Sequence, residues 1–480
     1  MKLSHLFSLN MLSFLIFIKC TVGPDYHKIS TEIPEVYKET KNSNWKIASP
    51  QDETSKGKWW EIYNDPFLNK LEELIDTSNY SLAASIAQLE QAQALLGQAK
   101  ANYFPSLGTS TGITRQRQST GSTQNAIEST NYNVNVNASW IPDLWGNVRR
   151  NVEANEAAVQ ANQAQIENLK LAIQASLAQY YFQIRTADSN QLILNEIIDS
   201  YKKQLELIEK SKDIGTASLV DVQKIESQYA LSKLSAEDNK LQREQYEHAI
   251  AIILGKSPAE FSLETKETNI QIPQVPIILP SSLLERRPDI AQAERLVAQA
   301  NAQIGIAKAA FFPNLNLSAA GGYSSNEITN LFTLPALIWS VGANLATTLF
   351  DAGARSDKVR AAEANYLALT NQYKQTILQA LQNVEDNISS YNHLKNQEDF
   401  QFSSFNQLQM IYNLNTEQYN EGILNFNELL IAKINLQNSK KSLNDIINKR
   451  ALNSVNLIAA LGGSWRKDNT VSQKKEADEN

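Results

Sequence analysis

The sequence predicts a mainly α chain with membrane β-strands, built as a tandem structural repeat. Three observations predict it: two very long intervals free of Gly and Pro, alternating segments that pair into hairpins, and a series of residues that recurs at a fixed spacing.

The leader comes first. Lys2 and His5 precede an apolar run from Met11 to Ile18, too short to span a bilayer and typical of a signal-peptide core, so residues 1–19 are expected to be removed on export. Cys20 follows at once. A lone Cys at the end of such a leader marks a lipoprotein processing site, although Lys19 stands where those sites take a small residue; the alternative is an ordinary thiol that happens to lie there. No other Cys exists, so the mature chain holds no disulfide and no Cys-based metal site. No other stretch reaches ~18 apolar residues, which excludes a membrane helix. The 44 basic and 51 acidic residues leave a net charge of -7, and that balance argues against a nucleic-acid partner.

The repeat comes next. Gly97, Lys100 and Pro105 recur 208 residues later as Gly305, Lys308 and Pro313. Gly146, Gly215, Leu254 and Gly255 recur 207 residues later as Gly353, Gly422, Leu461 and Gly462. A series that holds register to one residue indicates duplication.

Two intervals, Gly146 to Gly215 and Gly353 to Gly422, contain neither Gly nor Pro between their ends. Each is rich in Ala, Gln, Leu, Glu and Lys, and each is followed by a second Gly-free interval, so both are expected to be helical. Apolar residues step by three and four: Ile166, Leu169, Ile173, Leu177, Tyr180 and Ile184 in the first, Tyr366, Tyr373, Ile377, Leu381, Val384 and Ile388 in the second. Such narrow stripes resemble coiled-coil seams. Helices of this length reach roughly 100 Å, about three bilayer cores. They bridge a distance and do not cross a membrane.

Between the helices lie the strands. From Asn131 to Trp140 the chain alternates without a break, with Tyr132, Val134, Val136, Ala138 and Trp140 on one face and Asn or Ser on the other. Leu107, Thr109, Thr111 and Ile113 alternate with Ser and Gly. In the second half Leu315, Leu317, Ala319 and Tyr323 form one strand face, and Trp339, Val341, Ala343 and Leu345 the other. Polar loops are expected near 115–130 and 324–334. Strands of about ten residues suit a tilted crossing of the bilayer, and the aromatics at their ends (Tyr103, Phe104, Trp140, Phe311, Phe312, Trp339) suit interfacial girdles or a hairpin core. Four strands do not close a barrel, for which ~8 is the practical minimum, and lipid forbids an open edge. Several copies must therefore share one barrel, with rings of helices continuing it.

These residues carry a family resemblance. The stretches Cys20 to Tyr26, Trp59-Trp60 with Asp65-Pro66, Arg287 to Ile290 running into Ala309 to Asn314, Trp140 to Gly146, and Leu349 to Gly353 resemble the TolC-like outer membrane factor family. The match is to its lipoprotein (NodT-type) branch, which serves resistance-nodulation-division pumps, and it covers residues 20 to about 465. It implies a trimeric 12-stranded β-barrel continued by a long α-helical barrel, in the outer membrane and extending into the periplasm. The implied partners are two further copies of the chain, outer-membrane lipid, a periplasmic adaptor (membrane fusion) protein and an inner-membrane transporter of that class.

The resemblance also implies a gate at the periplasmic helix turns, marked by Gly215 and Gly422. Asp221 and Tyr419 match positions that in relatives bond between neighbouring coiled coils. Leu424 falls where some relatives place an Arg of that network, which implies a weaker or different lock. Glu428 matches an acidic position of the aperture ring, and Ile431 falls where an Asp is common. Three copies of Glu428 about a narrow axis would favour cations. The plainer reading is that Asp221 and Glu428 are solvated charges beside a helical turn.

Enzymatic readings fail. The four His residues are scattered, without metal-ligand spacing. Gly255-Lys-Ser257 resembles the end of a P-loop, but Ile250 stands where the upstream Gly belongs. The expectation is an outer-membrane exit duct with no catalytic residue, metal or cofactor. Its organisation would be an equatorial segment 20–78, a first repeat 79–255, an equatorial linker 256–287, a second repeat 288–462 and a polar tail 463–480. A duct for type I protein secretion and a coiled-coil scaffold remain the alternatives.

Overall fold

The protein is described by a computed structural model covering residues 21–29, 38, 57–119, 126–267, 270–273 and 287–463. Cys20, the leader and the polar tail beyond residue 463 lie outside the described residues.

A 3-10 turn, Trp59–Tyr63, precedes helix α1 (Pro66–Ser78). Asp65 caps α1, its carboxylate accepting from the Phe67 and Leu68 amides at 2.9 and 3.2 Å. There follow α2 (Tyr80–Ala101), β1 (Ser106–Ser119), β2 (Ala126–Trp140), α3 (Asn147–Asp213) and α4 (Leu219–Ile253). The second half reads α5 (Pro288–Ala309), β3 (Asn314–Ser325), β4 (Leu337–Ala346), α6 (Ala354–Asn420) and α7 (Phe426–Ala460). The repeat is therefore structural. Helices α2 and α5 have 22 residues each, α3 and α6 have 67, and α4 and α7 have 35. Helix interiors without Gly or Pro have nothing to break them, and each long helix stops just short of the Gly that follows it.

The chain folds as two compact units. One contains the four strands and the adjoining stretches 87–163 and 292–374. The strands form one antiparallel sheet in the order β1-β2-β3-β4. Its register pairs Thr109 with Val136, Val136 with Gly321, and Gly321 with Trp339. Side chains alternate across a sheet, so this register puts the apolar sets of all four strands on one face. The opposite face is an Asn and Ser surface, stitched by Asn137 Nδ2 to Ser110 Oγ at 3.2 Å and Ser139 Oγ to Asn316 Oδ1 at 3.2 Å. The expected loop near 115–130 is mostly strand instead: the ladder continues to the pair Ser119–Ala126. Polar composition suggested a loop there, but Arg115 and Glu128 form a cross-strand ion pair at 2.9 Å that suits exposed strand ends.

The same unit holds the N-terminal segment down. The Val22 amide donates to Trp145 O at 3.0 Å. Buried Arg150 donates to Val22 O, Gly23 O and the Asp25 carboxylate. Tyr26 closes the series with a 2.6 Å bond to Glu294.

The second unit contains 57–86, 164–291 and 375–463. Its core gathers Trp59, Trp60, Tyr63, Leu68 and Ile75 against Leu177, Tyr181, Phe182 and Ile184 of α3, with Ile250, Val384 and Val455. Here the narrow stripe expected on the first long helix gives way. Ile166, Leu169, Ile173 and Tyr180 are only half-buried, while every residue from Ile184 to Asp188 is buried. Packing from residues 59–78 and 250–263 covers α3 on further sides, and helical periodicity carries no sign of such distant partners. On α6 the stripe holds in part: Tyr373, Ile377, Val384 and Ile388 are buried, Tyr366 and Leu381 are half-buried, and most residues between them are exposed or half-buried.

Glu72 in α1 is 1% exposed, and neither carboxylate oxygen has a hydrogen-bond partner among the described residues. Burial, and secondarily the charge of Asp76, pushes its pKa well above the ordinary range. The folded chain thus keeps this proton where the unfolded chain loses it. The stability it contributes is full below the ordinary glutamate pKa and is lost as pH rises through the raised one. Glu72→Gln is expected to leave the melting temperature near pH 4 unchanged and to raise stability at pH 8 by about 1–3 kcal/mol. An equal loss at both pH values in thermal melts would show that Glu72 is held by an interaction that Gln cannot replace.

Candidate functional site

The candidate site consists of two helix turns of the second unit. In the first, α3 ends at Asp213 and Gly215 takes φ +79°, a left-handed conformation that Gly adopts without steric cost. Ser211 O accepts from the Thr216 and Ala217 amides at 2.8 and 3.2 Å, closing the helix end. Ser218 then caps α4, its hydroxyl accepting from the Asp221 amide at 3.2 Å. The Asp221 carboxylate reaches back to accept from the Ser218 hydroxyl at 2.7 Å and the Ser218 amide at 3.2 Å, completing a capping box. Those bonds from Ser218 hold the Asp221 carboxyl below its usual pKa.

The second turn repeats the first with different residues. Gly422 has φ +74°, and Gln418 O accepts from Ile423 and Leu424 at 2.9 and 3.2 Å. Asn425 caps α7, its Oδ1 accepting from the Glu428 amide at 2.9 Å. Asp221 and Glu428 are thus the same position of the repeat, the third residue of α4 and of α7. Both sit where the helix dipole favours an anion. They differ in use. Asp221 is spent on its own cap, whereas the exposed Glu428 carboxylate makes no hydrogen bond or ion pair among the described residues.

Ile431 lies one turn beyond Glu428 and is exposed like it, while Leu429 and Leu430 are buried on the other side of α7. Tyr419, near the end of α6, packs its ring on Phe426 at 5.3 Å between centroids, and Leu424 is half-buried. Asp221 and Tyr419 make no bond to each other within one chain. Bonds across the unit brace the second turn: Gln204 Nε2 to Asn427 Oδ1 at 2.6 Å, and Gln437 Nε2 to the Glu196 carboxylate at 2.7 Å.

Sequence reasoning missed a polar cluster of the same unit. The Asp188 carboxylate, with its side chain 0% exposed, accepts from Arg243 Nε at 2.6 Å, Arg185 Nη1 at 3.1 Å and the Lys266 amide at 3.2 Å. Arg185 also donates to Glu264 O at 2.8 Å and faces the rings of Phe67 and Tyr181. Arg243 donates to Leu263 O at 2.7 Å, and Glu247 accepts from the Leu263 amide. The cluster ties residues 263–266 to α3 and α4. Its one local signal is a pair of opposite charges three apart within an otherwise buried stretch of helix.

Comparison with known proteins is consistent throughout. The profile of the family described as outer membrane efflux protein matches residues 73–256 and 279–463. The chain is similar to the probable outer membrane lipoprotein SilC of Salmonella typhimurium, 25% identical over 96% of this chain and 100% of that protein. It is also similar to the pyoverdine export outer membrane protein OpmQ of Pseudomonas aeruginosa, 26% identical over 90% of this chain and 93% of that one. Among solved structures, the outer-membrane channel OprN matches with a TM-score of 0.81 and 27% identity, covering 93% of this chain and 100% of its own.

Proposed function

This chain belongs to the outer membrane efflux protein family, and on that premise we propose that three copies assemble into one exit duct that closes at its periplasmic end. It is an outer-membrane channel protein of a transport family, and the relatives that bear the name work in efflux and export.

One observation carries the trimer. A single chain supplies four antiparallel strands whose apolar faces are in register and whose outer members, β1 and β4, leave two unpaired edges. An open edge in lipid leaves backbone groups unsatisfied. Strand β4 runs antiparallel to β1, so β4 of one copy fits β1 of the next. Two copies give about 8 strands, an interior that side chains fill, whereas three give a 12-stranded barrel with a lumen. The apolar face then meets lipid and the Asn and Ser face lines the lumen, with the helices of the three copies continuing the duct. Native mass of the detergent-extracted protein from fractionated envelopes tests this. A trimer in the outer membrane is expected; a soluble monomer would overturn it.

The equatorial belt comprises residues 20–78 and 256–287, a reading supported by the Asp188 cluster and by Arg287, which donates to Ala460 O at 2.9 Å. The two repeats occupy 79–255 and 288–462. Cys20 carries the lipid anchor. In support, the Val22 amide, two residues further on, is bonded to Trp145 just after β2. The partners are a periplasmic adaptor protein and an inner-membrane transporter of the resistance-nodulation-division class.

The gate lies at the turns marked by Gly215 and Gly422. Glu428 and Ile431 share a face of α7 and supply one carboxylate ring and one apolar ring per trimer. Asp221 and Tyr419 make no bond to each other within a chain, so their bond would form between copies, with the Asp221 carboxylate exchanging its Ser218 cap for Tyr419; Leu424 supplies no charge to that contact. Glu428→Ala is expected to lower cation preference in planar bilayers, because its carboxylate is solvated and unpaired. Asp221→Ala should raise conductance and also cost about 0.5–2 kcal/mol through the lost cap. Wild-type conductance and selectivity in both variants would sink the gate assignment.

A further inference from the structure

The loop between β3 and β4, residues 326–336, differs in kind from the ends of the first hairpin. Toward that end of the hairpin, β1 and β2 carry Arg115, Arg117 and Glu128, an exposed ion-paired set. The second loop has one charged residue, Glu327, and four large apolar ones, Ile328, Leu331, Phe332 and Leu334.

Four of its backbone amides are bonded within the loop. Two 3-10 turns, Ile328–Asn330 and Leu334–Ala336, bond Asn330 N to Glu327 O, Leu331 N to Ile328 O, Thr333 N to Asn330 O and Ala336 N to Thr333 O at 3.0–3.3 Å. Glu327 is engaged too, its carboxylate accepting from Asn330 Nδ2 at 2.7 Å. Each such bond lowers the cost of placing that part of the backbone beside an apolar medium.

The loop is folded onto the apolar face of the sheet. Leu331 is 7% exposed and, with Ile328, lines a 440 Å³ hollow against Thr111, Ile113, Tyr132 and Val134. Phe332 sets its ring edge-on to Tyr323 at 5.6 Å, and Tyr323 pairs in register with Val134. The outward side chains remain bare: Phe332 is 71% and Leu334 84% exposed. They run directly into Leu337, Trp339 and Val341 of β4, which are also exposed. The loop therefore extends the apolar belt of the barrel without a polar break.

We propose that this loop lies in the outer leaflet of the membrane, with Phe332 and Leu334 among lipid acyl chains. The inference rests on the apolar sheet face meeting lipid. It gives each protomer a membrane contact outside the strands, at the opposite end of the sheet from Trp145, which follows β2.

The chain's single Cys makes the test direct. Leu334→Cys and, as reference, Val341→Cys are labelled with a polarity-sensitive fluorophore and reconstituted in phosphatidylcholine vesicles with or without acyl-brominated lipid. The unsubstituted chain is labelled in parallel to subtract any signal from Cys20. The expected result is blue-shifted emission at Leu334→Cys, lost on brominated lipid to the extent seen at Val341→Cys and unmoved by aqueous iodide. Loss to iodide would make the loop a solvent-facing lid, and protection from both quenchers would place it under a neighbouring copy; either overturns the proposal. If Val341→Cys also escapes brominated lipid, the barrel reading itself fails.

Discussion

Asp188→Ala is expected to destabilise the folded chain by about 3–5 kcal/mol, because removing one member of a buried ion cluster leaves the others charged and unpaired. The Asp188 carboxylate serves two guanidinium groups and one backbone amide, and Arg185 is itself buried beside it. Deletion strands Arg185 in a low-dielectric site and removes the bond that holds the Lys266 amide to α3. The deficit should appear as a lowered thermal midpoint of the extracted protein and a reduced yield in envelopes. Asp188→Asn, which keeps an acceptor but not the charge, should cost less. Adding Arg185→Met to Asp188→Ala should recover part of the loss, since the pair removes the orphan along with its partner. A wild-type midpoint for Asp188→Ala would mean that the cluster is solvated and holds nothing.

Gly255→Ala is expected to cost more than about 3 kcal/mol, combining left-handed backbone with a backbone collision. Gly255 sits at φ +63°, and a Cβ there would stand 2.2 Å from Ser78 O. No rotamer relieves a clash with a carbonyl. The junction must open, breaking the 2.8 Å bond from Asn79 Nδ2 to Ile253 O that joins the α1–α2 break to the end of α4. Gly215→Ala is the control. It has φ +79° but nothing within 4 Å of a Cβ, so it should cost only the left-handed backbone term, about 1–2 kcal/mol. Equal midpoints for the two variants would show that the Ser78 junction yields freely.

That contrast marks how far the sequence reaches. Gly215 and Gly255 read alike as helix-ending glycines, and both are. Their difference is a neighbour at residue 78, far along the chain from Gly255. The same holds for the acids. Asp221 and Glu428 stand 207 residues apart, the spacing of the repeat, yet the resemblance alone assigned them different roles and the matching turns identify them as counterparts. That one is bonded to Ser218 and the other is unbonded became apparent only from the turns themselves.

What the sequence determined alone is the helix limits at Gly146, Gly215, Gly353 and Gly422 and the alternation of the four strands, which are local signals, together with the duplication, which the chain spells out twice. The first two are legible because a helix or a strand repeats its own geometry within a few residues. Tertiary structure decided what depends on distant partners: the register that unites four apolar faces, the Asp188 cluster spanning 55 and 78 residues of chain, the unpaired carboxylate of Glu72, and the seating of the loop at 326–336. Burial and charge pairing are settled by residues brought together from far apart, and no periodicity within either partner records the other.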